Sequence, residues 1–292
     1  MKKILLIGKS GQLGGEIIKD AAFFGFEILG IDKEEMDVTN KSWVKEKIEE
    51  VKPDILINTS AYHVVQKCEE NPLEAMRVNF LAVWNLAKLC REKKIIFVTF
   101  STDYVFDGEK EAPYGEDDEP NPLQIYGISK LAGEYAAINL YPKGTFIIRT
   151  CGLYGSEKGS PEKGGNFVLN ILKESENKNE IEVSSEQIVS PTYAGDLSKA
   201  TLKLLKIKKA KLGVYHIVNE GHCSWYEFAK EIFKLAGINK KLLPINREGK
   251  SGKVQRPKFS ALKNTKAKSL DIELPSWQEG LKSYFTFLKI LK

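Results

Sequence analysis

The sequence predicts an α/β fold: a doubly wound, mostly parallel sheet joined to a smaller, interlocked α/β domain. Three observations predict it. Short apolar runs alternate with segments of helical spacing through the first half of the chain. The first run ends at a glycine-rich turn, Gly8-Lys9-Ser10-Gly11-Gln12-Leu13-Gly14, that opens a helix. An acid, Asp32, closes the second run.

The elements follow in order. Residues 4–7 form a continuous apolar run, as a parallel strand covered on both faces requires. A helix over 14–25 turns Ile17, Ile18, Ala21 and Ala22 inward. Residues 26–31 are a second strand. The helix over 42–51 takes Ser42 as its cap, with Glu46 near its first turn. Pro53 leads into a strand at 54–58. Residues 72–92 make a long helix with Ala75, Val78, Leu81, Ala82, Leu86 and Leu89 apolar. A strand at 95–100 precedes a polar, proline-rich loop at 107–122. A helix then carries Tyr126 to about Leu140, and 145–149 is a strand. Beyond Thr150 the alternation loosens. Residues 156–165, rich in Gly, Ser and charge, read as a mobile loop. Helices are expected over 167–173, 196–205, 224–236 and 277–291, with a late strand at 214–218. Segment 190–196 reads as a turn and helix cap.

Composition narrows the function. The chain has 292 residues, 42% hydrophobic and 28% charged, enough for a full core. The net charge of +5 is modest and interspersed. Lys206, Lys208, Lys209 and Lys211 form a basic run without stacking aromatics, which argues against nucleic acid. A mild positive field suits an anionic substrate such as a diphosphate. Cys68, Cys90, Cys151 and Cys223 are widely spaced, so neither a metal site nor a disulfide frame is expected, and the address is cytoplasmic. The apolar run at 4–7 is too short for a signal peptide or a membrane span.

The glycine turn points to a dinucleotide. Backbone amides at a tight turn, aimed by a helix N-terminus, hold a pyrophosphate. Gly8, Gly11 and Gly14, with Gln12 and Leu13 between them, sit after a strand and before a helix. This is the Rossmann arrangement. Asp32 can accept both ribose hydroxyls of NADH and would repel the 2′-phosphate of NADPH, which favours NADH slightly. Lys33 beside it offsets part of that repulsion, so NADPH use is also open. Asp37-Val38 and Ala61-Tyr62-His63 follow strand ends and would flank the adenine and the nicotinamide ribose. His63 is expected to line the groove without proton chemistry. Residues 1–150, with 192–220 returning to them, make the NAD(P)-binding domain. Residues 151–191 and 221–292 make the substrate domain.

Tyr126 and Lys130 stand four apart in Tyr126-Gly127-Ile128-Ser129-Lys130, hence on one helix face. A nearby ammonium favours ionisation of a phenol whose ordinary pKa is about 10. Ser101 to Gly108 follow a strand whose carboxyl end should bear the site. Thr102 would orient and polarise a carbonyl, Tyr126 would give it a proton as hydride arrives, and Lys130 would stabilise the phenolate and bond the ribose. Asn79 reads as a structural residue that holds the sheet end.

These residues resemble the extended short-chain dehydrogenase/reductase superfamily and, more narrowly, the dTDP-4-dehydrorhamnose reductase family. The similarity runs through the glycine turn, Ser101 to Gly108, Tyr126 to Glu134, Arg149-Thr150, Ser190 to Asp196, Ser224-Trp225-Tyr226-Glu227-Phe228-Ala229, Arg256-Pro257 and Ser260-Ala261-Leu262. The resemblance implies reduction of the C4 ketone of a dTDP-linked 4-keto-6-deoxy sugar by NADH or NADPH, giving dTDP-L-rhamnose. It carries the proton donor to Tyr126, the lysine to Lys130, and the substrate contacts to Thr102 and Asp103. It carries the cofactor contacts to Gly11-Gln12-Leu13, Asp32, Asp37-Val38 and Ala61-Tyr62-His63. It also implies homodimers, some linked by Mg2+, for which the sequence offers no ligand set. Two departures stand out. Gly152, at a substrate-binding position, replaces a family Trp that contacts the sugar, and Gln66 replaces a usual Asp.

Other readings share the fold. A 4,6-dehydratase needs an acid after Thr-Asp, where this chain has Tyr104. A 4-epimerase has a Ser-rich strand end unlike Ser101 to Asp107. The regulatory subunit of methionine adenosyltransferase resembles the same family, can keep the Tyr/Lys pair and acts by binding a partner.

Overall fold

The computed structural model describes residues 1–160, 162, 164–246 and 254–290. Its first half contains β1 (Lys2–Ile7), α1 (Gln12–Ala21), β2 (Phe26–Ile31), α2 (Lys41–Val51) and β3 (Ile55–Asn58). Then come α3 (Val65–Glu70), α4 (Pro72–Met76), a π-helical turn (Arg77–Ala82) and α5 (Val83–Lys93). After these lie β4 (Ile96–Thr102), α6 (Ile125–Leu140) and β5 (Thr145–Thr150). The second half contributes β6 (Leu153–Tyr154), α7 (Phe167–Asn177), β7 (Glu180–Ser184), β8 (Ile188–Val189), β9 (Thr192–Tyr193) and α8 (Ala194–Lys206). It ends with β10 (Gly213–His216), β11 (Cys223–Ser224), α9 (Trp225–Ala236), β12 (Lys241–Ile245), α10 (Thr265–Lys268) and α11 (Trp277–Leu288).

Six parallel strands form the central sheet in the order β10-β5-β4-β3-β1-β2. The chain steps from β1 outward to β2, then returns to the other side of β1 with β3. The strand order therefore reverses between β1 and β3, and the crevice above that point is where such sheets bind ligands.

Successive strand residues face opposite sides of a sheet. Ile4, Leu6, Ile55, Ile57, Val98 and Ile148 join one core with Leu13 and Ile17 of α1 and Leu197 of α8. Leu5, Ile7, Leu56, Phe97 and Ile147 join another with Ile48 of α2, Leu86 of α5 and Ala137 of α6. Helices thus cover both faces, which explains why the strands are continuously apolar. A third core gathers Tyr154, Val168, Ile181, Phe228, Ile232, Tyr284 and Phe285 beside the parallel pair β7–β12.

Three expectations are corrected. Asn40, not Ser42, caps α2, its side chain accepting from Trp43 N at 3.1 Å. The long helix at 72–92 is interrupted by the π turn. The helix expected at 167–173 extends to Asn177. Among the described residues, no helix is long and apolar enough to cross a membrane.

Candidate active site

A cavity of about 1050 Å3 opens at the carboxyl ends of β1, β2, β3, β4 and β5. That is at the top of the range for ligand pockets, about 300–1000 Å3. Gly8 and Gly11, with Ser10, Gln12 and Leu13, line one end. Gly8 has a φ of +93°, and a Cβ there would lie 2.6 Å from Thr59 Oγ1. Gly11 precedes α1 in extended backbone, so no side chain screens the first amides of the helix. Gly14 does not line the cavity. A Cβ on it would stand 2.0 Å from the Gly8 carbonyl oxygen. Its role is to let α1 pack onto the turn. Gln12 Oε1 accepts from Gly155 N at 3.0 Å and Asn166 Nδ2 at 3.1 Å, tying the loop after β6 to the glycine turn.

Asp32 closes β2 and accepts from Ser10 N at 3.1 Å. Lys9 pairs with Glu35 at 2.5 Å, while Lys33 lines the cavity. Asp37 and Val38 line it as well. Burial works to raise the Asp37 carboxyl, but hydrogen bonds from Thr39 N at 2.8 Å and Thr39 Oγ1 at 2.7 Å, with Lys33 and Arg77 nearby, hold it below its ordinary value. Ala61, Tyr62 and His63 line the cavity from the segment after β3. Asn79, in the π turn, fixes that segment: it accepts from Tyr62 N at 2.9 Å and donates to Tyr62 O at 2.8 Å. The ring of His63 reaches Ser160 Oγ at 2.9 Å and Glu162 at 3.3 Å, so it spans the cleft as a strut. Ser101 and Thr150, at the ends of β4 and β5, line the same cavity, and their buried hydroxyls have no partner among the described residues. A glycine cradle at a helix N-terminus, a carboxylate at the end of β2 and unpartnered hydroxyls fit a bound dinucleotide.

α6 carries the chemistry. Gln124 caps it, its Oε1 accepting from Gly127 N at 2.8 Å. Two glycines bring it close to its neighbours. A Cβ on Gly127 would lie 2.1 Å from Tyr104 O, and one on Gly133 would lie 2.2 Å from Asn79 O. A buried ion pair fixes the helix to β5, with Arg149 Nη2 at 2.6 Å and Nε at 2.9 Å from the Glu134 carboxylate. Tyr126 and Lys130 therefore face the cavity from one helix face. The Thr102 hydroxyl stands beside the Tyr126 phenol, and Tyr104 packs its ring edge-on at 6.0 Å.

The expected phenol–ammonium coupling is corrected. Burial pushes the Tyr126 phenol up, against the Thr102 hydroxyl. Burial also lowers the Lys130 ammonium to about 8, against the Glu134 charge. Desolvation disfavours the charged form of both groups and is the largest influence on each.

The substrate end holds the remaining residues. Thr102 and Asp103 both line the cavity and are buried, and the Asp103 carboxyl is raised by burial. Burial pushes up the phenol of Tyr104, which follows them. Gly152 has a φ of +55°, and a Cβ there would come within 3.5 Å of Trp225 Cη2. The Trp225 indole lines the cavity and packs on Phe167 at 4.5 Å. An aromatic wall is thus present near Gly152, supplied from α9. Arg256 lines the same end beside Tyr104, while Gln66 lines the cavity and donates to Glu70 at 3.1 Å. Sequence reasoning missed Trp225 and Arg256 as site residues. Their motifs were visible, but nothing in the spacing brings them to the sheet end. Among the described residues, no cluster of three His, Cys, Asp or Glu side chains could hold a metal ion.

Comparison with known proteins decides the family. Residues 1–290 match the family model described as the RmlD substrate binding domain. A dTDP-4-dehydrorhamnose reductase of Aggregatibacter actinomycetemcomitans is 35% identical over 97% of this chain and 98% of its own. The chain belongs to the dTDP-4-dehydrorhamnose reductase family. The spore coat polysaccharide biosynthesis protein SpsK of Bacillus subtilis is 36% identical over 97% of both chains. The crystal structure of the Bacillus anthracis dTDP-4-dehydrorhamnose reductase, in complex with NADP, superposes with a TM-score of 0.90 at 35% identity, covering 98% of this chain and 99% of that one. That reductase thus shares the fold described above along nearly its whole length.

Proposed function

We propose that this chain reduces the C4 ketone of dTDP-4-dehydro-L-rhamnose to give dTDP-L-rhamnose, with NADH or NADPH as reductant. One observation carries the reading. Thr102, Tyr126 and Lys130 line the same cavity as the glycine cradle of α1. Reduced nicotinamide, when bound, supplies the hydride for the ketone carbon. The first amides of α1 hold the diphosphate, and Asp32 reads the adenosine ribose. Tyr126 donates a proton to the ketone oxygen, Thr102 supports the phenol, and Lys130 steadies the phenolate left behind. Trp225 offers a flat apolar wall to the bound nucleotide sugar, and Arg256 offers a charge to its diphosphate. The lining therefore draws on both halves of the chain. This supports a division into a cofactor part (1–150 with 192–220) and a substrate part (151–191 with 221–292).

A panel of nucleotide 4-keto sugars tests the reading, with NADH and NADPH oxidation followed for each. Oxidation in step with dTDP-L-rhamnose formation is expected. Oxidation with another 4-keto sugar alone would change the substrate, and none with any would remove the activity.

A further inference from the structure

A hydroxyl has one hydrogen to give and two lone pairs to accept with. Thr102 Oγ1 accepts from Tyr104 N at 3.2 Å and lies 3.0 Å from Asp103 Oδ1. The Thr102 hydroxyl also stands beside the Tyr126 phenol and favours its charged form. On its other oxygen, Asp103 Oδ2 accepts from Ser260 Oγ at 2.6 Å, and the Cys151 thiol touches the same carboxyl. Thr102, Asp103 and Ser260 are all buried. Ser260 comes from the far end of the chain and is itself held in place, its N–H donating to Ile188 O at 2.8 Å.

The donor count fixes the direction of this chain of bonds. With Asp103 ionised, Thr102 gives its only hydrogen to Oδ1. Tyr126 can then meet Thr102 only as a donor, and its proton points away from substrate. With Asp103 protonated, the carboxyl donates to Thr102 and Thr102 donates to Tyr126. Both lone pairs of Thr102 are used, by Tyr104 N–H and by the acid. The phenolic hydrogen is then free for a ketone oxygen.

We propose that Asp103 is a positioning residue that carries a proton and, held by Ser260, turns the Thr102 hydroxyl toward Tyr126. The inference rests on the proposed ketone reduction only for the fate of the phenolic proton. In that step the Tyr126 O–H bond breaks and a new O–H bond forms on the sugar. The ketone carbon is reduced by the hydride and NAD(P)H is oxidised. The phenolate keeps the electron pair, accepts the Thr102 hydrogen bond, and regains its proton from water.

The surroundings agree. Burial raises the Asp103 carboxyl and outweighs the neighbouring Ser260, Cys151 and Thr102 groups, which favour its charged form. The titratable groups facing it are the Cys151 thiol at the end of β5 and the phenols of Tyr104 and Tyr126, each pushed up by burial and so neutral near pH 7. The Arg256 charge acts on Tyr104, and no cation is among the main influences on Asp103.

Infrared difference spectroscopy of the full chain, native against Asp103→Asn, tests this without substrate. The native protein should show the carbonyl stretch of a protonated buried carboxyl at neutral pH, and the variant should lose it. Ser260→Ala removes a donor that favours the charged form, so the band should titrate at higher pH. In turnover, Asp103→Ala should lose about 10- to 100-fold in kcat. Asp103→Asn, whose amide can donate to Thr102, should lose clearly less. An absent band at neutral pH, or equal losses in the Asn and Ala variants, would overturn the proposal. A band without any turnover would remove the reduction and leave the proton on Asp103 standing.

Discussion

Tyr126 and Lys130 show how strongly burial governs single groups here. An isolated phenol and ammonium four residues apart would pull each other toward charge. In this site both are desolvated. The phenol rises, and Lys130 falls to about 8. A neutral phenol is the form that can donate a proton, so the raised value suits the donor role. Tyr126→Phe should therefore cut kcat by at least about 100-fold. Fluorescence titration should show NADPH binding nearly unchanged. Near-native turnover would remove Tyr126 from the proton path. Asp32 works by a different logic, through the hydroxyls it can accept from. Asp32→Ala should weaken NADH binding more than NADPH binding, because only the phosphate-free ribose offers two hydroxyls to the carboxylate. Equal loss for both would show that Asp32 does not read the ribose.

Elements place these residues by close backbone contact. α6 approaches Tyr104 through Gly127 and the π turn through Gly133, and the Arg149–Glu134 pair clamps it to β5. Both members of that pair are buried, with side chains 4% and 2% exposed. Removing one would leave an uncompensated buried charge. Glu134→Ala should destabilise the fold by about 3–5 kcal/mol in urea unfolding. A loss below about 1 kcal/mol would mean that β5 does not hold α6 through this pair. The strands and the glycine turn were legible in the sequence for the reason that makes them stable. A strand covered on both faces must be apolar throughout, as Ile4 to Ile7 are. A helix that packs on a tight turn must lack side chains there, as Gly14 does. β7 and β12 were not legible. β7 is only five residues long and alternates, with Ile181 and Val183 buried and Glu180 and Glu182 exposed. It lacks the continuous apolar run of the central strands, and Pro244 sits inside its partner β12. The π turn left no mark either, since its residues are ordinary helix formers and Asn79 takes its role from partners far along the chain.

The whole molecule brings distant segments onto one cleft, and this was the least legible level. Trp225, Arg256 and Ser260 reach a site whose cofactor end begins at Gly8. No spacing rule brings them there, because their position depends on how the third core packs against the sheet. Other long-range joints lie outside the lining of the cleft. His216 of β10 is fully buried, contacts Tyr114 O at 3.0 Å and packs edge-on against Phe106. Burial, with Arg149 nearby, lowers its pKa to about 3. The unfolded chain takes up a proton near the ordinary histidine value of about 6.5, while the folded chain does not. Stability should therefore fall as pH falls from about 6.5 toward 3, by about 1.4 kcal/mol per unit. Urea unfolding of the native protein should lose more between pH 7 and pH 5 than unfolding of His216→Gln. Equal losses would show that His216 is not held neutral.

The central claim is that a cofactor cleft and a proton-donating phenol act on one ketone. Deuterium tracing tests it most directly. The protein is incubated with dTDP-4-dehydro-L-rhamnose and NADPH labelled at C4 of its nicotinamide, on each face in turn. One label should appear at C4 of the sugar in dTDP-L-rhamnose, with one cofactor oxidised per product. Product without label from either face, or no product while the labelled cofactor binds, would contradict the account.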